Sequence, residues 1–116
     1  MPMDTRKTPT ECANMDDIRA AIDHLDRGVL ALLGQRAQYV HAASKFKTSV
    51  AAVQAPERFK AMLQQRRVWA SEEQLNADFI EQLYRDLVEH FIAQELQQWQ
   101  HEQGHRELVQ AAEQQS

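Results

Sequence analysis

The sequence predicts an all-α fold, a three-helix chain with a long first helix, and three observations carry that prediction. The first is a shortage of turn formers: the 116 residues include three glycines and three prolines, and beyond Thr10 the only proline is Pro56. A sheet protein of this size needs several tight turns, and the residues that make them are missing. The second is a composition rich in glutamine, alanine, glutamate and leucine, all good helix formers. The third is spacing, because apolar residues recur in steps of three and four rather than two.

The same counts bound the function. A chain of 116 residues fits one domain, and 43% hydrophobic with 26% charged residues is ordinary for a soluble globular protein. No apolar run approaches the roughly 18–20 residues of a membrane span. Nor does Met1-Pro2-Met3-Asp4-Thr5-Arg6-Lys7 lead into the apolar core of a signal peptide. The single cysteine, Cys12, rules out an intrachain disulfide framework. A formal net charge of -4 argues against a nucleic-acid binder working by bulk electrostatics. The expectation is a small cytoplasmic protein with neither membrane nor nucleic acid among its partners.

Residues 1–13 carry two prolines and polar neighbours and read as an irregular N-terminal arm. Asn14 is a suitable N-cap, with Asp16 and Asp17 in the first turn, where the helix dipole favours acids. From there two heptad series run together: Met15, Ile22, Val29, Arg36, Ala43 and Ile18, Leu25, Leu32, Tyr39, Phe46. They define one seam on a first helix over residues 15–47, about 50 Å long. Residues 48–55 lack helical periodicity, and their small side chains predict a loop that is mobile when empty and orders when ligand binds. Pro56 fits the first position of a second helix whose stripe is Phe59, Met62, Leu63 and Ala70, ending near Glu73. Asn76 caps a third helix of about 25 residues, marked by Phe79, Ile80, Leu83, Leu87, Phe91, Ile92, Leu96 and Trp99. The helical domain thus covers residues 14–100, and residues 101–116 form a polar, glutamine-rich tail expected to fray.

A compact monomer of this length has a radius of gyration of roughly 13 Å. Two shorter helices cannot cover an apolar seam of about 50 Å. A dimer that pairs the long helices buries it most simply, and a first helix broken at Gly28 or Gly34 is the alternative.

Several charges interrupt these apolar stripes. Arg36 takes a seam position, and Lys47, eleven residues on, lies only about 20° away around an ideal helix and about 16 Å along it. Buried cations demand anionic partners, either a structural acid on the third helix or a bound anion. Arg19 points about 100° away and lies about 25 Å up the axis from Arg36, so one small ligand cannot touch both on one helix. In an antiparallel dimer, Arg19 of one chain can approach Arg36 of the other. Glu95 falls between Ile92 and Trp99 in the third helix's stripe, as a salt-bridge partner or a proton carrier.

The ordered set Asp17-Ile18-Arg19, Gly34-Gln35-Arg36, Ser44-Lys45-Phe46-Lys47 and Ala55-Pro56-Glu57-Arg58 resembles the all-helical (type II) chorismate mutase family. Lys7-Thr8-Pro9 with Cys12, the Ala-rich stretch before Pro56, and Trp69 and Trp99 are more similar to its isochorismate pyruvate-lyase branch, which makes salicylate for siderophores. The resemblance covers about residues 7–100. It implies an intertwined homodimer of three-helix chains with two equivalent sites and no metal or organic cofactor. By position it implies that Arg36 and Lys47 bind substrate from one chain and Arg19 from the other. Arg58 would be a further contact, with Val40, Phe91 and Ile92 lining the pocket. The sequence departs from the lyases at Glu95, where they carry glutamine; the neighbouring Gln94 is rotated by about 100° and does not substitute.

The residue types suit the implied chemistry. Isochorismate and chorismate each carry two carboxylates and an enolpyruvyl ether. Fixed cations hold such a dianion in a reactive conformer, and Lys47 is suited to stabilise negative charge on the ether oxygen as the C–O bond breaks. A glutamine at position 95 can donate a hydrogen bond at any pH, whereas Glu95 donates only when protonated. The expectation is a neutral Glu95 in the working enzyme. A metal pair at His101 and His105 is not expected in so polar a tail, nor a reactive Cys12. His24, His41 and His90 read as surface or interface residues, Trp69 and Trp99 as packing, and Arg66 and Arg67 as a solvated face. Two further readings stay open: a dedicated chorismate mutase, and a noncatalytic helical adaptor whose seam cations only form salt bridges.

Overall fold

The computed structural model describes residues 6–115, the side chains of 103–107, 114 and 115 excepted. Among the described residues every regular element is helical: a 3-10 turn at Pro9–Glu11, then α1 (Met15–Ser44), α2 (Val50–Gln54), α3 (Pro56–Glu72) and α4 (Ala77–Gln115). The chain divides into two compact units, Met1–Tyr39 and Val40–Ser116.

In the first unit the arm is partly ordered. Thr8 and Glu11 form a capping box around the 3-10 turn, with Thr8 Oγ1 donating to Glu11 Oε1 at 2.6 Å. Asn14 caps α1 as its sequence predicts, Oδ1 accepting from the Asp17 N–H at 2.9 Å. Asp17 reaches back in turn, taking hydrogen bonds from the Ala13 N–H at 3.0 Å and Lys7 Nζ at 3.1 Å. α1 buries none of its residues. Its seam lies open, with Ile22 50%, Leu25 49%, Leu32 65% and Tyr39 78% exposed.

The second unit holds the core. α3 and α4 pack as a helical hairpin, and α2 also packs on α4. Val53, Met62, Leu63 and Ala70 are its buried apolar residues, and Glu95 is buried with them. The hairpin turn uses a non-glycine residue: Gln74 adopts φ 61°, with its N–H on the Ser71 carbonyl and that of Leu75 on the Ala70 carbonyl. Asn76 then caps α4 through the Phe79 N–H at 2.9 Å. Arg67 ties the hairpin together, bonding Asp78 at 2.8 Å and Glu81 at 3.5 Å.

Four expectations are corrected. α1 ends at Ser44, and Phe46 and Lys47 donate their N–H groups to the carbonyls of Ala43 and Ser44, a tightened exit turn. Residues 48–55 are not a featureless loop: Ser49 caps the short α2, its Oγ accepting from the Ala52 N–H at 3.1 Å. α4 continues to Gln115 instead of fraying near residue 100, because alanine, glutamine and glutamate sustain a helix without an apolar stripe and no proline stops it. Arg66 and Arg67 are not simply solvated, since the Arg66 guanidinium lies 4.5 Å from the Trp69 ring centroid and Arg67 is ion-paired. Gly104, His105 and Ser116 lie outside the residues whose side chains are described, as does the arm before Arg6.

Candidate active site

Two sequence-predicted residues meet in the second unit. Lys47 Nζ donates to Glu95 Oε2 at 3.0 Å, across 48 positions of sequence. The Glu95 side chain is 5% exposed and that of Lys47 25%, so a carboxylate sits inside the hairpin with its counterion at the rim. Local structure explains each placement. Lys47 follows the exit turn of α1, two residues before the cap of α2. Glu95 takes an inward position on α4, between half-buried Ile92 and Trp99. An ionised acid there requires a cation, and Lys47 supplies it.

Phe91 and Ile92 stand one helical turn before Glu95 on α4, both half-buried. Val40, on the last turn of α1, is half-buried as well. Arg58 is exposed in the first turn of α3, directly after Pro56 and Glu57.

Arg19 and Arg36 belong to the first unit. Arg19 is exposed. Arg36 is half-buried, and its Nη1 is fully shielded from solvent with no hydrogen-bond partner. A shielded guanidinium nitrogen without an acceptor is uncommon among buried polar groups. The single-helix relation of Arg36 to Lys47 does not hold, because α1 ends three residues before Lys47. A cavity of about 270 Å³ in the first unit is lined by Arg6, Lys7, Asp17, Ala20, Ala21 and His24, none of them predicted site residues. No group of three or more potential metal-ligating side chains occurs among the described residues. No described helix is long and apolar enough to cross a membrane.

Sequence reasoning missed α2. The signal was present, a serine followed by Val-Ala-Ala-Val, but five residues are too few for periodicity to register.

The family model described as chorismate mutase type II matches residues 18–96. The chain is 45% identical over 98 residues to a protein of Pseudomonas aeruginosa named isochorismate pyruvate lyase, covering 84% of this chain and 97% of that one. It is 37% identical over 84 residues to the T-protein of Haemophilus influenzae, covering 72% of this chain but 22% of that protein.

Proposed function

The chain belongs to the type II chorismate mutase family, and from that premise we propose that it is an isochorismate pyruvate-lyase, releasing pyruvate from isochorismate to leave salicylate. The observation that carries this reading is the 45% identity to the Pseudomonas aeruginosa lyase along 97% of that protein's length. The T-protein adds little, since this chain spans only 22% of it.

The reaction needs no external reagent. A ring hydrogen moves to the enolpyruvyl methylene as the C–O bond breaks, the ring becomes aromatic, and the atoms of isochorismate are those of salicylate and pyruvate. The task left to the protein is to fold the ether chain over the ring and meet the charge that develops on the ether oxygen. Lys47 meets that charge. Arg36, whose shielded Nη1 lacks an acceptor, holds a substrate carboxylate. Arg58 is a further carboxylate contact, and Val40, Phe91 and Ile92 shape the apolar wall against the ring. The open α1 seam supports a homodimer in which a second copy covers it and contributes Arg19. The protein works in the cytoplasm.

Glu95 gives this site its own character. In the structure it pairs with Lys47. With a dianion bound, a second negative group beside Lys47 is repelled, and Glu95 serves best as a neutral donor. Activity then falls as pH rises, and Glu95→Gln removes that fall while preserving or raising activity near pH 8. A pH–rate profile unaltered by Glu95→Gln rejects the neutral-donor role.

The second reading is a dedicated chorismate mutase, favoured by the family model's own description. Purified protein offered each substrate separately decides: salicylate fluorescence from isochorismate supports the lyase, and prephenate alone supports the mutase. Turnover of neither supports the helical adaptor, in which the Lys47–Glu95 pair is purely structural.

A further inference from the structure

Lys47 has a flexible four-carbon stem and stands outside any regular helix, yet its ammonium is held against one buried carboxylate. The chain on its N-terminal side is fixed by the exit turn, where the Lys47 N–H reaches the Ser44 carbonyl at 3.1 Å. The other side is fixed by α2. Its cap, Ser49, is two residues from Lys47, and its one buried residue, Val53, is only 3% exposed. α2 packs on α4, the helix that carries Glu95. It is also joined to α3 through the single residue Ala55, which has φ 39° and ψ 60° and serves as C-cap of one helix and N-cap of the next. The Ala55 N–H reaches the Ala51 carbonyl at 2.8 Å, and its own carbonyl accepts from the Phe59 N–H at 2.9 Å. A left-handed alanine is held only where its surroundings over-determine it.

We infer that Val53 is a positioning residue for Lys47: seated in the hairpin core, it anchors α2 so that the chain from Ser49 back to Lys47 holds the ammonium in register with α4. The inference rests on the proposed function only in taking Lys47 as the catalytic cation. A helix of five residues cannot hold itself in place, and besides its Ser49 cap and the Ala55 junction the buried Val53 isopropyl group ties it to the core. Truncating it leaves the Lys47 charge intact but widens the volume the charge explores. Displacements of about 1 Å at a reacting centre cost up to about 10²-fold in rate.

The test uses the full chain and steady-state isochorismate turnover. Lys47→Ala sets the scale, with a loss of about 10²–10³-fold expected for one electrostatic donor. Val53→Ala should lower kcat roughly 10-fold with little change in KM, a fraction of the misplacement penalty, and Val53→Ile should restore it. In the Lys47→Ala background Val53→Ala should cost nothing more, because the residue acts through Lys47. Trypsin should cut after Lys47 faster in Val53→Ala than in the parent. Ser49→Ala, at an exposed position that loosens the same short helix, repeats the test without a core cavity should Val53→Ala fail to fold. Parental kcat and parental cleavage in the folded variants overturn the inference, as do losses that multiply in the double variant. If Lys47→Ala is itself fully active, the catalytic reading of Lys47 fails, and the cleavage rate alone decides whether Val53 anchors the segment.

Discussion

Asp17 shows how much one carboxylate organises at the N-terminus. The Ala13 N–H and then the Lys7 ammonium, both hydrogen-bonded to it, hold its carboxyl below the ordinary value of 3.8. A group whose folded value is depressed contributes stability that is complete above its unfolded value and is lost as pH falls through the folded one. The arm should therefore stay docked at neutral pH and detach in acid below about 4. The Ala13 amide resonance should titrate over that range in the parent and stay flat in Asp17→Asn; titration in both would remove Asp17 as the cause. Single residues of this kind were readable from sequence where they broke a pattern. Glu95 and Arg36 stood out because charge interrupted an apolar stripe. The partnership of Lys47 with Glu95 was legible only as one of two options, since spacing shows that a buried cation needs an anion but not which one.

At the scale of the element, end signals were the most readable features. Asn14, Pro56 and Asn76 act where the sequence puts them, because capping involves only neighbours within one turn. Lengths were harder. The apolar stripe of α4 stops at Trp99 while the helix continues, since amphipathicity reports where a helix is buried and propensity decides where it persists. Glycine is also misplaced for stability. Gly34 sits inside α1 on the face away from the seam, with nothing within 4 Å of an added Cβ. Gln74, in contrast, holds the left-handed position that glycine fits best. Gly34→Ala and Gln74→Gly should each stabilise the fold by about 0.5–1 kcal/mol, read as higher urea midpoints with an unchanged slope. A lower midpoint for Gly34→Ala would show that something packs on that face of α1.

For the whole molecule, the decisive feature is the apolar face of α1, which stays exposed among the described residues. Leu32 at 65% and Tyr39 at 78% exposure are large apolar groups at regular spacing, too many for a solvated surface. The sequence exposed this problem through the length of the seam, although the premise of two shorter partners fails for α4, which at 39 residues is longer than the 30-residue α1. If a second copy supplies Arg19, variants Arg19→Ala and Arg36→Ala should each be badly impaired as homodimers. Refolded together they should regain activity, because in the mixed dimer one pocket receives both arginines and the other neither. Heterodimers proven by mass with one parent isotope-labelled, yet no more active than their parents, would place both residues in one chain's site or outside it.

The burial of Glu95 against Lys47 has a calorimetric consequence. A carboxylated ligand that takes over Lys47 leaves Glu95 shielded without its counterion, a state several kcal/mol uphill unless the acid becomes neutral. Ligand association should then draw about one proton per site from the solution. The heat released when salicylate and pyruvate bind should differ between phosphate and Tris at the same pH, because each buffer surrenders that proton with its own enthalpy. Glu95→Gln, with no proton to accept, should give one heat in both.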